Sequence, residues 1–195
     1  METKPVKIAI VGLNFGRHIM RRDLIEGAGR KWVEVVGVSD FNPELRAGVA
    51  AQFGLKEYAS LESILADPAI EAVGLYTPPA GRAELIRQCL EAGKSVMTTK
   101  PFELDPAAAE KVLDLAAQRG LTVHLNSPSP LPGADTAQLL TWQKEQNLGR
   151  ITGLYTETYA DYHETADGSW YDDPERCPAA PLFRIGIYGI NELIT

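Results

Sequence analysis

The stretch Val6-Lys7-Ile8-Ala9-Ile10-Val11-Gly12-Leu13-Asn14-Phe15-Gly16 decides the fold. Its first six residues form an almost unbroken apolar run, of strand length and without the alternation of a strand that has one wet face. Such a strand is buried on both faces, which places it in a parallel sheet covered by helices. Gly12 ends the run. A helix is expected from about Phe15, with Ile19, Met20 and Leu24 turned inward.

Working outward, the same strand-then-helix unit repeats. Val33 to Val38 is a second β-branched run, ending at Ser39-Asp40. Asn42-Pro43 then reads as an N-cap followed by proline at the first helical position. Gly54 suits the left-handed residue that ends that helix. Ser60 caps a short helix through Ala66, and Ile70 to Tyr76 is the next strand. Ala83, Ile86, Cys89 and Leu90 share one helix face, and that helix ends at Gly93. Ser95 to Thr98 is a strand. Asp105-Pro106 opens another capped helix, with Ala108, Val112, Leu115 and Ala116 on its inner side and Gly120 at its end. Leu121 to Leu125 closes the series. Strands alternating with helices imply right-handed crossovers and an α/β fold with a doubly wound parallel sheet.

The rhythm breaks at Ser127-Pro128-Ser129-Pro130-Leu131-Pro132-Gly133, so a domain boundary is expected there, giving units 1–126 and 127–195. Beyond it the sequence suggests a helix over Ala134 to Asn147, a strand of a different sheet over Ile151 to Tyr159, a loop over Trp170 to Ala180 and a helix over Pro181 to Ile194. This reads as the start of a second α+β domain, with little sequence left to complete its sheet.

A parallel sheet opens a crevice at the carboxyl ends of its strands, and the first strand-to-helix turn can hold a pyrophosphate on helix N–H groups. Gly12 and Gly16 fit such a turn. The turn is one residue shorter than usual, with Asn14 where a middle glycine is expected; Asn tolerates left-handed backbone better than most residues. Asp40, at the end of the second strand, is placed to accept ribose hydroxyls and to repel a 2′-phosphate, which favours NAD over NADP. Gly12, Asn14, Phe15, Gly16 and Asp40 are therefore the candidate cofactor residues, with Thr77, Pro78 and Lys100 on the same rim.

Thr77-Pro78-Pro79, Glu91-Ala92-Gly93-Lys94 and Thr99-Lys100-Pro101 occur in that order. Here the chain resembles the Gfo/Idh/MocA oxidoreductases, whose members carry Thr-Pro-Asn, Glu-Ala-Gly-Lys and Glu-Lys-Pro in the same sequence. The resemblance continues through Trp170-Tyr171-Asp172-Asp173-Pro174 and Pro181-Leu182-Phe183-Arg184-Ile185-Gly186-Ile187-Tyr188, which look like the loop and helix of the family's second domain. It implies an N-terminal Rossmann domain and hydride transfer between nicotinamide C4 and a sugar, polyol or related hydroxylated carbon. By the same resemblance Lys100 binds the reacting oxygen and Tyr188 acts as proton acceptor, with Trp170 and Arg184 on the substrate side. A phenol becomes a useful base when a neighbouring cation favours its ionised form. Arg184 stands where the family has an aspartate, reversing the charge and favouring an acidic substrate. Arg82 stands where histidine often follows the Thr-Pro-Asn segment.

Net charge is −7 and is spread rather than blocked, which argues against nucleic acid or an anionic membrane as partner. No basic stretch followed by a long apolar run is seen, so cytoplasm is the expected location. Cys89 and Cys177 are too few for a disulfide framework; Cys89 reads as core and Cys177 as an exposed loop residue. His18, His124 and His163 lack metal-ligand spacing, and no metal site is expected. Trp32, Trp142 and Trp170 read most simply as packing residues. A small-molecule substrate and a homo-oligomer are expected. Two further readings stay open: a non-catalytic dinucleotide- or sugar-binding regulator, and an inactive fragment of a longer oxidoreductase.

Overall fold

The computed structural model describes residues 4–128, 131–153, 155, 157, 165–179 and 182–194, with only the backbone of 192 and 193. It contains two compact units, Met1–Asn126 and Ser127–Thr195.

In the first unit, β1 (Val6–Val11), β2 (Val33–Ser39), β3 (Lys56–Glu57), β4 (Ala72–Leu75), β5 (Ser95–Thr98) and β6 (Val123–Leu125) form one sheet. Every pairing is parallel, in the order β3-β2-β1-β4-β5-β6. The order reverses direction between β1 and β4, which places the ligand crevice of an open α/β sheet at their carboxyl ends. Alternation along β1 feeds two cores. Ile8 and Ile10 pack with Ile19, Met20, Leu24 and Val49 on one face. Ala9 packs with Ile64, Ile86, Leu90 and Val112 on the other. Helices therefore cover both faces, and the apolar run of β1 is explained by burial on each side.

The helices begin and end where local chemistry directs. α1 (Leu13–Ile19) starts directly after Gly12, two residues earlier than the sequence suggested, and continues as a π-helical turn over Met20–Ile25. α2 (Pro43–Phe53) is capped by the Asn42 side chain, which accepts from the N–H groups of Glu44 and Leu45, and ends at left-handed Gly54. α3 (Leu61–Leu65) carries a reciprocal Ser60–Ser63 cap. α4 (Arg82–Glu91) follows left-handed Gly81, and α5 (Pro106–Arg119) runs from the Asp105 cap to left-handed Gly120.

Three details differ from the sequence reading. β3 has no apolar signature: both residues are exposed, and the strand exists because Lys56 and Glu57 pair with Gly37 and Val38 of β2. β4 is shorter than the run Ile70–Tyr76, whose buried ends pack in the core outside the strand. Trp32 and Trp142 are 64% and 51% exposed rather than packed. A lone tryptophan has no period that could show which way it points.

The second unit holds α6 (Ala134–Glu145) and α7 (Ile187–Ile194), the latter preceded by a π-helical turn over Leu182–Gly186. α6 stops short of Asn147, whose φ of 49° is left-handed. The strand expected over 151–159 is absent from the described part of that segment, residues 151–153, 155 and 157; its other residues lie outside the description. Among the described residues of this unit no strand is present to pair with one. Cys177 is 2% exposed, against the expectation of an exposed thiol, because the turn in which its N–H bonds the Asp173 carbonyl tucks it inward.

Candidate active site

Four strand ends of the first unit bring the expected residues to one rim. Gly12 and Asp40 follow β1 and β2, and Thr77 and Lys100 follow the neighbouring β4 and β5. Gly12 has φ +87°, and a Cβ there would sit 2.8 Å from the Tyr76 carbonyl oxygen. Gly16 faces the Tyr76 ring, which a Cβ would meet at 2.9 Å. Both glycines are therefore required by close approach of the chain to itself. Phe15 is partly exposed and packs edge-on against Tyr76, with ring centroids 6.0 Å apart. Asn14 is exposed.

Asp40 is buried. One carboxylate oxygen accepts from the Leu13 N–H at 2.7 Å and the other from the Asn42 N–H at 2.9 Å. The first bond caps α1 and explains its early start. Each carboxylate oxygen can accept a second hydrogen bond, so a ribose hydroxyl is still compatible with this geometry. Phe41, 94% exposed, follows it on the rim.

The other side of the rim is built around a buried arginine. Arg82 is 2% exposed and donates to the carbonyls of Thr99 (2.6 Å), Pro101 (2.5 Å) and Phe102 (3.3 Å), and to that of Thr77. Burial pulls its pKa down to about 10, partly offset by Glu103. Glu103 in turn accepts from the N–H groups of Gly81 and Ala83, capping α4. Lys100, half-buried, stands between Thr99 and Pro101 on the loop so held. The side-chain oxygens of Thr77, Thr99 and Asn126 are buried on this rim without a hydrogen-bond partner. Lys94 of the Glu-Ala-Gly-Lys segment lies at the opposite edge, before β5, where its ammonium donates to the carbonyls of Asp67 and Ile70. Its role is structural.

In the second unit, Tyr188 and Ser127 share a hydrogen bond between hydroxyls 3.1 Å apart. Both line a cleft of about 290 Å³ with Pro128, Leu131 and Asn191. Trp170 stacks on Tyr171 at 4.2 Å, and the Arg184 guanidinium lies 3.7 Å from the centre of the Tyr171 ring. Arg184 is buried against that aromatic pair. Trp170 and Arg184 are thus brought together through Tyr171. Sequence reasoning missed the roles of Glu103, Ser127 and Tyr171 and the placement of Arg82, because each depends on contacts across the fold rather than on a local pattern. Among the described residues no group of three His, Cys, Asp or Glu side chains could hold a metal ion, and His163 lies outside the description.

Residues 6–127 match the family model of the GFO_IDH_MocA oxidoreductases, described as an NAD-binding Rossmann fold. The chain belongs to the Gfo/Idh/MocA oxidoreductase family. The dehydrogenase aclE of Aspergillus oryzae is 29% identical over 181 residues, covering 85% of this chain and 49% of its own length. A dTDP-3,4-didehydro-2,6-dideoxy-alpha-D-glucose 3-reductase of Saccharopolyspora spinosa is 30% identical over 123 residues, covering 63% of this chain and 36% of the reductase. Two crystal structures share the fold over 98% of this chain. An oxidoreductase of Desulfitobacterium hafniense described as NADPH-dependent has TM-score 0.78 at 21% identity, with 55% of its length covered. An NAD-binding protein from Listeria innocua has TM-score 0.75 at 24% identity, with 54% covered. The chain spans about half the length of the curated relatives that it matches most fully.

The rim suits the family's dinucleotide on its own chemistry. Asp40 retains acceptor capacity at the β2 end, and the unpartnered Thr77 and Thr99 hydroxyls lie beside Lys100 at the other.

Proposed function

We propose that this chain supplies the cofactor site of an NAD-dependent oxidoreductase acting on a sugar, polyol or related small molecule, at a carbon that bears a hydroxyl or its keto counterpart. The bound nicotinamide accepts or donates the hydride. The observation that carries the reading is the placement of Lys100 on the β5 rim, beside the buried and unpartnered hydroxyls of Thr77 and Thr99. The Lys100 ammonium would hydrogen-bond the reacting oxygen and stabilise the negative charge that develops there. Asp40 would hold the adenosine ribose and disfavour a 2′-phosphate, hence NAD over NADP. Among relatives and neighbours one structure is described as NADPH-dependent and another as NAD-binding, so the preference rests on Asp40 alone.

Tyr188 is the proposed proton acceptor, with Ser127 as its hydrogen-bond partner within the second unit. Arg184 would act on substrate selection by fixing the Trp170-Tyr171 loop against which it stacks. A homo-oligomer and a cytoplasmic location belong to the same proposal; among the described residues no helix is long and apolar enough to cross a membrane. A second reading, a non-catalytic dinucleotide- or sugar-binding regulator, is favoured by Arg184, which reverses the charge of the aspartate that the family carries there.

The test is a titration with NADH and, in parallel, NADPH, followed by energy transfer from protein tryptophan. A panel of polyols, sugar acids and their keto forms is then screened for turnover. Saturable binding that favours NADH, with turnover that Lys100→Ala abolishes while NADH still binds, supports the oxidoreductase. Binding without any turnover supports the second reading.

A further inference from the structure

The most heavily engaged side chain on the rim is one the reaction itself does not require. Arg82 is the first residue of α4 and is almost wholly buried. An isolated buried cation is costly, and it persists only where its donors are matched. Here the terminal N–H groups are matched by main-chain carbonyls from two different loops, while the buried Nε has no partner. Thr77 belongs to the loop after β4; Thr99, Pro101 and Phe102 belong to the loop after β5, on either side of Lys100. Glu103, three residues beyond Lys100, completes the arrangement by capping the helix that Arg82 begins. The helix start and the lysine loop therefore hold each other: Arg82 reaches from α4 to the loop, and Glu103 reaches from the loop to α4.

We propose that Arg82 is a positioning residue, whose guanidinium fixes the spacing of the two rim loops and thereby the direction in which Lys100 projects. A planar guanidinium spreads its donors over separate nitrogens and so can bridge carbonyls of two loops at a fixed spacing, which the point-like ammonium of lysine does not reproduce. The carbonyls flanking Lys100 leave its loop little freedom while Arg82 is in place. The two unpartnered hydroxyls, Thr77 and Thr99, lie on the same two loops, so the same guanidinium sets their separation. This inference rests on the cofactor reading above for its consequence, the hold on the nicotinamide end, but not for its structural content.

The test compares wild type with Arg82→Lys, Arg82→Gln and Arg82→His by two independent measurements. The first is the NMR resonance of Lys100 after reductive ¹³C-dimethylation, assigned by its loss in Lys100→Arg. The second is affinity for NADH against affinity for ADP-ribose, which lacks the nicotinamide. The expected result is a shifted Lys100 resonance in each variant that keeps a cooperative melting transition. NADH should weaken at least about tenfold, the equivalent of about 1.4 kcal/mol, while ADP-ribose changes by less than about twofold. Lysine should rescue no better than glutamine. An unmoved Lys100 resonance in a folded variant overturns the proposal, as does an equal loss of both ligands together with a lowered melting temperature. Should wild type bind neither ligand, the cofactor reading fails while the Lys100 resonance still decides the role of Arg82. Should Arg82→Gln not fold, the lysine and histidine variants carry both measurements.

Discussion

The Asp40 carboxylate accepts the Leu13 amide proton at 2.7 Å, tying the end of β2 to the first turn of α1. The turn is one residue short, and this bond is what lets α1 begin immediately after Gly12. A charged acceptor on a buried backbone donor is worth about 1.5–3 kcal/mol.

Asp40→Ala should therefore cost about that much stability, read from urea denaturation, and should weaken NADH by at least about tenfold. Asp40→Asn keeps one acceptor oxygen and should lose less stability. The cofactor assignment fails if Asp40→Ala binds NADH as tightly as wild type.

Gly12 and Gly54 carry different costs, although both are glycines at positive φ. Both have positive φ, but a Cβ at Gly54 meets nothing within 4 Å whereas one at Gly12 lies 2.8 Å from backbone. Gly54→Ala should cost about 1–2 kcal/mol, the price of left-handed backbone alone. Gly12→Ala should cost at least about 1 kcal/mol more, since φ 87°, ψ 92° lies outside the left-handed well and the Cβ meets a main-chain carbonyl that cannot rotate away. Equal losses in urea would show that the turn relaxes freely and that the close approach to Tyr76 is not a constraint.

The features legible in the sequence are those set by neighbours along the chain. Asn42, Ser60 and Asp105 announce their helices because a cap acts two or three residues away, and Gly54 and Gly120 announce the ends for the same reason. β1 is readable because burial on both faces of the sheet imposes an apolar run. β3 is not, since Lys56 and Glu57 become a strand only by pairing with a segment some twenty residues earlier. The site divides in the same way. Lys100 and Asp40 could be named because strand ends define the rim. Arg82 could not be told from a solvated arginine in a first helical turn, because what buries it arrives from residues 99–102.

Lys94 tests whether a family motif serves the site or the scaffold. The residue is 5% exposed, and its ammonium bonds the Asp67 carbonyl at 2.8 Å and the Ile70 carbonyl at 2.7 Å. Lys94→Met keeps most of the stem and removes the donors, leaving two carbonyls without them. The expected loss is about 2–3 kcal/mol in urea denaturation, with NADH affinity unchanged within about twofold. A large loss of NADH affinity at full stability would move Lys94 from the scaffold to the site.

Asp67 gives the first unit an acid-sensitive fastening. Its carboxylate accepts from Lys56 at 2.7 Å, from the Tyr58 hydroxyl at 2.6 Å and from the Ala69 N–H at 2.9 Å. The Lys56 hydrogen bond, then that of Tyr58, holds its pKa well below the usual carboxylate range. A folded-state pKa below the unfolded one means that the unfolded chain binds more protons in the window between them. The stabilisation is then fully present above the ordinary carboxylate value near ~4 and drains away as pH falls through the depressed one. Asp67→Asn removes the charge while keeping an oxygen for Ala69, so it should melt lower than wild type at pH ~7. The gap should narrow as both are acidified from about pH 5 to about pH 2. Other carboxylates titrate in both proteins, so the difference between the two melting curves isolates Asp67. A gap that stays constant across that range would show that Lys56 and Tyr58 bond Asp67 no more strongly than water does.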